Sequence, residues 1–193
     1  MKDHIETLCV QAGYQPKTGE SRIPPIVQST TFFYGDSQVM ADLFDLKREG
    51  FFYSRLANPT VDALEKKIAA LEGGAAGIGC ASGMSALLLT AMTLCEAGDN
   101  IVTAGEIYGG TFNLFSTTLP KFGIKARFFD VDAPAEEIDA LIDEKTKFVF
   151  AETIANPAVA ILDFDKVAAI CKKHGVLFIV DNTLASPALC RPL

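Results

Sequence analysis

From Asn58 onward, helix-forming stretches alternate with short apolar runs, a pattern that commits the chain to a mostly parallel sheet covered by helices. Parallel neighbours need a crossover long enough to hold a helix, and such crossovers are right-handed. A first helix starts at Asn58-Pro59, with the asparagine as cap and proline in the first turn. Val61, Leu64, Ile68 and Leu71 form its apolar face, and Gly73-Gly74 ends it. The pattern then predicts a strand near 77–81, a helix over 83–95, a strand over 101–104 and a helix over 111–119. It continues with a strand over 125–129, a helix over 135–142, the run Phe148-Val149-Phe150, a helix over 164–173 and a last strand, Val176–Val180. Residues 1–57 differ: Pro16, Pro24, Pro25, Gly13, Gly19, Gly35 and Gly50 break any periodicity, and only Ser37–Arg48 reads as helical. They are expected to form an extended arm, with residues 58–193 forming the α/β domain.

Composition narrows the partners. A net charge of −7 without a basic stripe argues against nucleic acid. The five cysteines are odd in number and lack Cys-x-x-Cys spacing, which points to free thiols in a reducing cytoplasm rather than a zinc site. Met1–Gly13 has no apolar core and does not read as a secretory signal. Gly73–Cys95 carries no charged residue and has the length to span a membrane, but its glycines and serines break it up. It reads instead as a buried strand, a tight turn and a buried helix, so no membrane partner is expected.

In an open α/β sheet, ligands bind beyond the carboxyl ends of the strands, so the polar residues that follow the apolar runs are the candidates. Ser82-Gly83-Met84 opens a helix, where unpaired N–H groups suit an anion, though an ordinary tight turn has the same residues. Gly77, Gly79 and Gly83 come within one residue of a dinucleotide-binding fingerprint, with Glu106 as the ribose acid. Tyr108-Gly109-Gly110-Thr111 follows the 101–104 strand and offers an aromatic ring, either to a ligand or to the loop it packs on. Asn156, held before Pro157, can aim its amide at a ligand oxygen. Asp181 follows five apolar residues and needs a cation or several hydrogen bonds; a helix cap or an ion pair would serve as well as a protonated ligand nitrogen. Tyr53 and Arg55 could contact a phosphate, or form a common surface triplet with Ser54. His4 and His174 are assigned no chemistry. No lysine lies between Asp181 and Leu193.

Six motifs in order give a sharper reading: Tyr53-Ser54-Arg55 with Asn58-Pro59-Thr60, Leu71-Glu72-Gly73-Gly74, Ser82-Gly83-Met84, Tyr108-Gly109-Gly110-Thr111, Glu152 through Pro157, and Asp181-Asn182-Thr183. Together, from about Thr7 to Leu193, they resemble the Cys/Met-metabolism family of pyridoxal-phosphate enzymes. The resemblance implies the large domain of a type I, aminotransferase-like fold and pyridoxal 5′-phosphate as cofactor. Ser82, Gly83 and Met84 would hold its phosphate, Tyr108 would stack on its ring and assist catalysis, and Asn156 would bond its phenolic oxygen. Asp181, with Thr183 beside it, would keep the ring nitrogen protonated, and Tyr53 and Arg55 would reach the phosphate of a neighbouring subunit. A homo-oligomer, dimer or tetramer, with shared active sites is thus implied.

Within the family the chain is most similar to O-acetylhomoserine sulfhydrylases; methionine γ-lyases typically carry cysteine where Gly110 stands. The implied reaction on a small amino-acid substrate is γ-replacement, in which acetate leaves and sulfide or a thiol adds. The Schiff-base lysine and a smaller C-terminal domain are expected to lie beyond Leu193, and the chain alone to be inactive. The alternatives are a γ-lyase or cystathionine γ-synthase of the same family, a non-catalytic assembly fragment, or an NAD-binding α/β domain.

Overall fold

The computed structural model describes residues 4–193, which fall into two compact units, one up to Gly79 together with Leu193, the other Cys80–Pro192. The first unit holds α1 (Ile5–Gln11), α2 (Ser37–Phe44) and α3 (Pro59–Glu72). Helix α1 is not foreseen from the sequence: its apolar positions, Ile5 and Leu8 with Ala12 at its cap, span two turns only, and none of its residues is fully buried. It packs on α3, and Gly13 follows it at φ 85°, where a Cβ would lie 2.1 Å from the Ala63 carbonyl oxygen. Only glycine permits both that conformation and that approach. Helix α2 stops at Phe44 rather than Arg48, because Leu46 adopts a left-handed φ of 55°.

Helix α3 matches its prediction. Asn58 Oδ1 accepts the Thr60 N–H at 2.9 Å, while its amide donates to the Val27 carbonyl and to Ser54 Oγ. Gly73 closes the helix at φ 78°. The predicted apolar face is covered only in part: Leu71 is buried, but Val61, Leu64 and Ile68 are 41–54% exposed.

The second unit is built on one four-stranded parallel sheet in the order β2-β1-β3-β4, with β1 Asn100–Ala104, β2 Lys125–Phe129, β3 Thr146–Glu152 and β4 Leu177–Asp181. Around it lie α4 (Gly83–Leu94), α5 (Gly109–Asn113), α6 (Ala135–Asp139), α7 (Phe164–His174) and α8 (Ser186–Leu189). All of β1 is buried, as is β3 apart from Lys147, which explains their unbroken apolar runs. Helix α7 is capped by Asp163 and ended by Gly175 at φ 68°.

Two expectations fail here. The 77–81 stretch pairs with no described strand. Instead, Gly77 and Gly79 lie against α3, where a Cβ on Gly77 would sit 2.8 Å from the Glu65 carbonyl oxygen and the Gly79 N–H donates to Glu65 Oε1. The helix expected over 111–119 begins earlier, at Gly109, widens to a π turn over Leu114–Thr118 and tightens to a 3₁₀ turn over Leu119–Phe122. No described helix is long and apolar enough to cross a membrane.

The sheet's amino ends are tied by Asp143, which accepts from the Asn100 amide, Arg127 and the Lys145 N–H. The Asn100 amide and then the guanidinium hold its carboxyl well below the usual carboxylate range. The core centres on Phe150, fully buried and met edge-on by Phe115 at 5.1 Å between ring centroids. Phe150→Ala should therefore cost about 3–5 kcal/mol in urea unfolding of the chain. A loss of only about 0.5 kcal/mol, as surface changes give, would contradict this packing.

Candidate active site

The strand order places a reversal beside β1. The chain leaves β1 toward β2 on one side, then returns to lay β3 and β4 on the other. Loops leaving the carboxyl ends of β1 and β3 consequently diverge and open a crevice between them, the position where open α/β sheets bind ligands. A cavity of about 300 Å³ lies there, at the small end of small-molecule sites. Its walls come from the start of α4 (Ser82, Gly83, Met84), the segment after β1 (Tyr108, Thr111), the end of β3 and its loop (Glu152, Ile154, Asn156), and the end of β4 (Asp181, Thr183).

At the α4 end, Ser82 and Ser85 form a reciprocal capping box: Ser82 Oγ accepts the Ser85 N–H at 3.1 Å, and Ser85 Oγ accepts the Ser82 N–H at 3.0 Å. That arrangement satisfies the flanking donors and leaves the N–H groups of Gly83 and Met84 with no acceptor among the described residues. They sit at the positive end of a twelve-residue helix.

At the opposite chemical pole are two carboxylates. Glu152 and Asp181 end adjacent strands in register with each other. Asp181 Oδ1 accepts from the Thr183 N–H at 2.9 Å and from Thr183 Oγ1 at 2.5 Å, while Oδ2 receives no bond from a described residue. Glu152 is only 7% exposed. Its Oε1 accepts the Tyr108 N–H at 2.7 Å and its Oε2 the Asn156 N–H at 3.1 Å. Burial pushes its pKa up, the two N–H groups pull against that, and the Asp181 charge adds to the rise. Among the described residues, no lysine, arginine or histidine lines the cavity.

The Tyr108 ring, half-exposed, lines the same cavity. A Cβ on Gly110 would stand 2.5 Å from Tyr108 Cε1 and 3.2 Å from Met84 Sδ, so the missing side chain is what admits both groups. Thr111 is fully buried, and its hydroxyl has no partner among the described residues. A buried hydroxyl left unbonded costs about 1–3 kcal/mol, so a ligand atom that bonds it would recover that loss.

The structure thus gathers Ser82, Gly83, Met84, Tyr108, Asn156, Asp181 and Thr183 at one cavity. Tyr53 and Arg55 belong to the other unit, where Arg55 donates to the Tyr53 hydroxyl at 2.8 Å and lies 5.0 Å from its ring centroid. The dinucleotide fingerprint loses its setting, because no strand forms ahead of Gly83 and Gly77 and Gly79 serve to approach α3. His174 meets Asp139 at 2.9 Å, and neither residue lines the cavity. Burial pushes the Cys95 and Cys171 thiols up to about 11, which keeps them protonated near neutrality. Sequence reasoning missed Thr111 and the part played by Glu152. Glu152 stood within a recognised motif, but its partners are backbone groups, which no residue pattern announces.

Comparison with known proteins agrees with this geometry. The chain is 47% identical over 191 residues to O-acetyl-L-homoserine sulfhydrylase 1 of Thermus thermophilus, covering 98% of this chain and 45% of that protein. It is 44% identical over 197 residues to a homocysteine/cysteine synthase of Kluyveromyces lactis, covering 100% of this chain and 44% of the relative. A crystal structure of an O-acetylhomoserine (thiol)-lyase from Campylobacter jejuni, which contains N′-pyridoxyl-lysine-5′-monophosphate, superposes with a TM-score of 0.93 at 42% identity, over 98% of this chain and 47% of that one. The chain thus spans under half the length of these relatives. The model of the Cys/Met metabolism PLP-dependent enzymes matches residues 6–193, and with the parallel sheet and its strand-end cavity this makes the chain a member of that family.

Proposed function

We propose that the cavity holds pyridoxal 5′-phosphate and that the chain is the cofactor-binding part of a sulfhydrylase. That enzyme would make homocysteine or methionine from O-acetylhomoserine and sulfide or a thiol by γ-replacement. One observation carries the reading: a single cavity is lined by free helix-start N–H groups, a half-satisfied carboxylate and an aromatic ring. A planar ligand with an anion at one end and a protonated ring nitrogen at the other matches both poles. The similarity to homocysteine synthases and O-acetylhomoserine sulfhydrylases supports the substrate class.

In this assignment Gly83 and Met84 donate backbone N–H bonds to the phosphate, with the Ser82 cap fixing their direction. Asp181 Oδ2 accepts from the ring nitrogen, while Thr183 on Oδ1 keeps the carboxylate from turning away. Asn156 offers its side-chain amide to the phenolic oxygen, and Tyr108 stacks on the ring face and handles protons at the substrate. A bound pyridinium ring withdraws electrons from the substrate carbon being deprotonated, and a carboxylate that keeps the nitrogen charged sustains that pull. The lining residues include no lysine, so what they supply is non-covalent grip and orientation.

Tyr53 and Arg55 are assigned to the phosphate of a neighbouring subunit in a homo-oligomer. The apolar stripe Val61, Leu64 and Ile68 on α3 supports such an assembly, since it is only partly covered within the described chain. The reducing cytoplasm is the setting that fits the chain's thiols.

Pyridoxamine 5′-phosphate carries the ring nitrogen and phosphate but no aldehyde, so it probes the non-covalent site. The chain should bind it, and Asp181→Asn should weaken binding by about 10–100-fold, the worth of a charge-assisted hydrogen bond of ~1.5–3 kcal/mol. Isothermal titration that finds equal affinity for both proteins would refute the Asp181 assignment. Gly110→Ala should leave thermal unfolding nearly unchanged, because the Tyr108 ring edge and the Met84 sulfur can swing aside. The same substitution should weaken pyridoxamine phosphate about tenfold, ~1.4 kcal/mol, by turning Tyr108 off the ring face; unaltered affinity would remove Tyr108 from the stacking role.

A further inference from the structure

Glu152 is a buried carboxylate at the cavity wall without a cationic partner among the described residues. Ion-pairing does not explain its presence, and neither does capping, since it ends a strand. What it does hold is the backbone of two segments 48 residues apart in sequence (156 − 108 = 48): the turn that carries Tyr108 and the loop that carries Asn156. The Asn156 loop is closed by the Ile154–Ile161 bridge and the Tyr108 carbonyl accepts the Phe112 N–H, but the Tyr108 and Asn156 N–H groups have no other acceptor among the described residues. Tyr108 is the residue before α5 and its side chain makes no capping bond, while Asn156 precedes a cis peptide bond to Pro157 in an irregular loop.

The chemistry of the two contacts selects a carboxylate. Both donors are main-chain N–H groups converging on one side chain, so that side chain must offer two acceptors and no donor. Glutamine would turn one NH₂ toward an N–H, and aspartate from the same strand position would fall short of the reach. The position is fixed in turn by β3, the buried strand whose neighbours are β1 and β4. The N–H groups of Tyr108 and Asn156 are therefore tied to the sheet through one side chain, in addition to the backbone bonds their own loops make.

We propose that Glu152 is a positioning residue, a backbone clamp that sets Tyr108 and Asn156 against the ligand in the strand-end cavity. This rests on the cofactor reading for the identity of the ligand, but the clamp itself is a property of the free chain. The titratable groups that line the cavity with it are Asp181 on β4 and Tyr108 after β1; no described lysine, arginine or histidine joins them. Burial raises the pKa of Glu152, so its proton is taken up nearer neutrality than an ordinary glutamate's. The sign follows from that. A raised carboxyl pKa means protonation favours the folded state over the unfolded one, so acid should loosen this clamp without unfolding the sheet. A protonated carboxyl keeps one good acceptor and turns the other into a hydroxyl donor, so one of the two N–H groups loses its partner.

Native-state amide hydrogen exchange on the full 193-residue chain, unmodified and as Glu152→Gln, reads the clamp directly. The Tyr108 and Asn156 amides should be protected in the unmodified chain, and at least one should lose about tenfold protection in the variant while β1 and β3 amides do not change. Equal protection of both amides in both proteins would overturn the proposal. If the variant does not fold, the unmodified chain followed from neutral to mildly acidic pH serves instead: one of these amides should lose protection ahead of the strands, and simultaneous loss with the strands would overturn it. Pyridoxamine 5′-phosphate then tests the purpose of the clamp. Its induced circular dichroism and its affinity should both fall in Glu152→Gln; exchange that loosens with unchanged ligand signals would overturn the positioning role. No binding by the unmodified chain would instead count against the cofactor reading, with the exchange result still deciding whether the clamp exists.

Discussion

The reversal of strand order beside β1 is the constraint on which the rest depends. Because the chain passes from β1 to β2 on one side and sets β3 and β4 on the other, the segments after β1 and β3 leave the sheet in diverging directions. The crevice between them cannot be filled by either connection, and every candidate residue of the second unit sits at its rim or floor. The buried strands supply the rigidity. β1 is covered throughout and β3 nearly so, with Phe150 locked against Phe115, so residues placed just past their ends inherit well-defined positions.

What makes the crevice selective is that opposite electrostatic characters line one cavity. The start of α4 presents N–H groups released by a capping box that satisfies their neighbours, and the ends of β3 and β4 present carboxylates with no basic residue among the lining. A simple anion would meet Glu152 and Asp181, and a simple cation would meet the helix start. A ligand carrying both charges with an aromatic body between them is favoured over either. The Tyr108 ring, admitted by the absence of a side chain at Gly110, completes that match.

Much of this was legible in the sequence, for reasons that can be named. Local chemistry is readable where it is self-contained: Asn58 and Gly73 bound α3 as predicted, the 125–129 strand has the predicted limits, and Asp163 and Gly175 bracket α7. The site residues after β1, β3 and β4 were readable because a parallel sheet sends ligand-binding groups to one edge. The misreadings have a common origin in tertiary contacts. Gly77 and Gly79 looked like parts of a strand and a nucleotide loop, yet their smallness serves an approach to α3. Helix α1 is too short for its apolar positions, Ile5 and Leu8, to stand out, and it gains its place by packing on α3. The bonds of Glu152 run to backbone N–H groups, one of them 44 residues away, and residue identity carries no trace of such partners.

In the proposed site Asp181 receives a protonated ring nitrogen while the α4 start receives a phosphate. ¹⁵N NMR of pyridoxamine 5′-phosphate labelled at the ring nitrogen and bound to the chain tests this pairing. The ring nitrogen should stay protonated at pH values where the free compound has lost that proton, and should lose this protection in Asp181→Asn. A bound ligand whose ring nitrogen titrates as it does free in solution would contradict it.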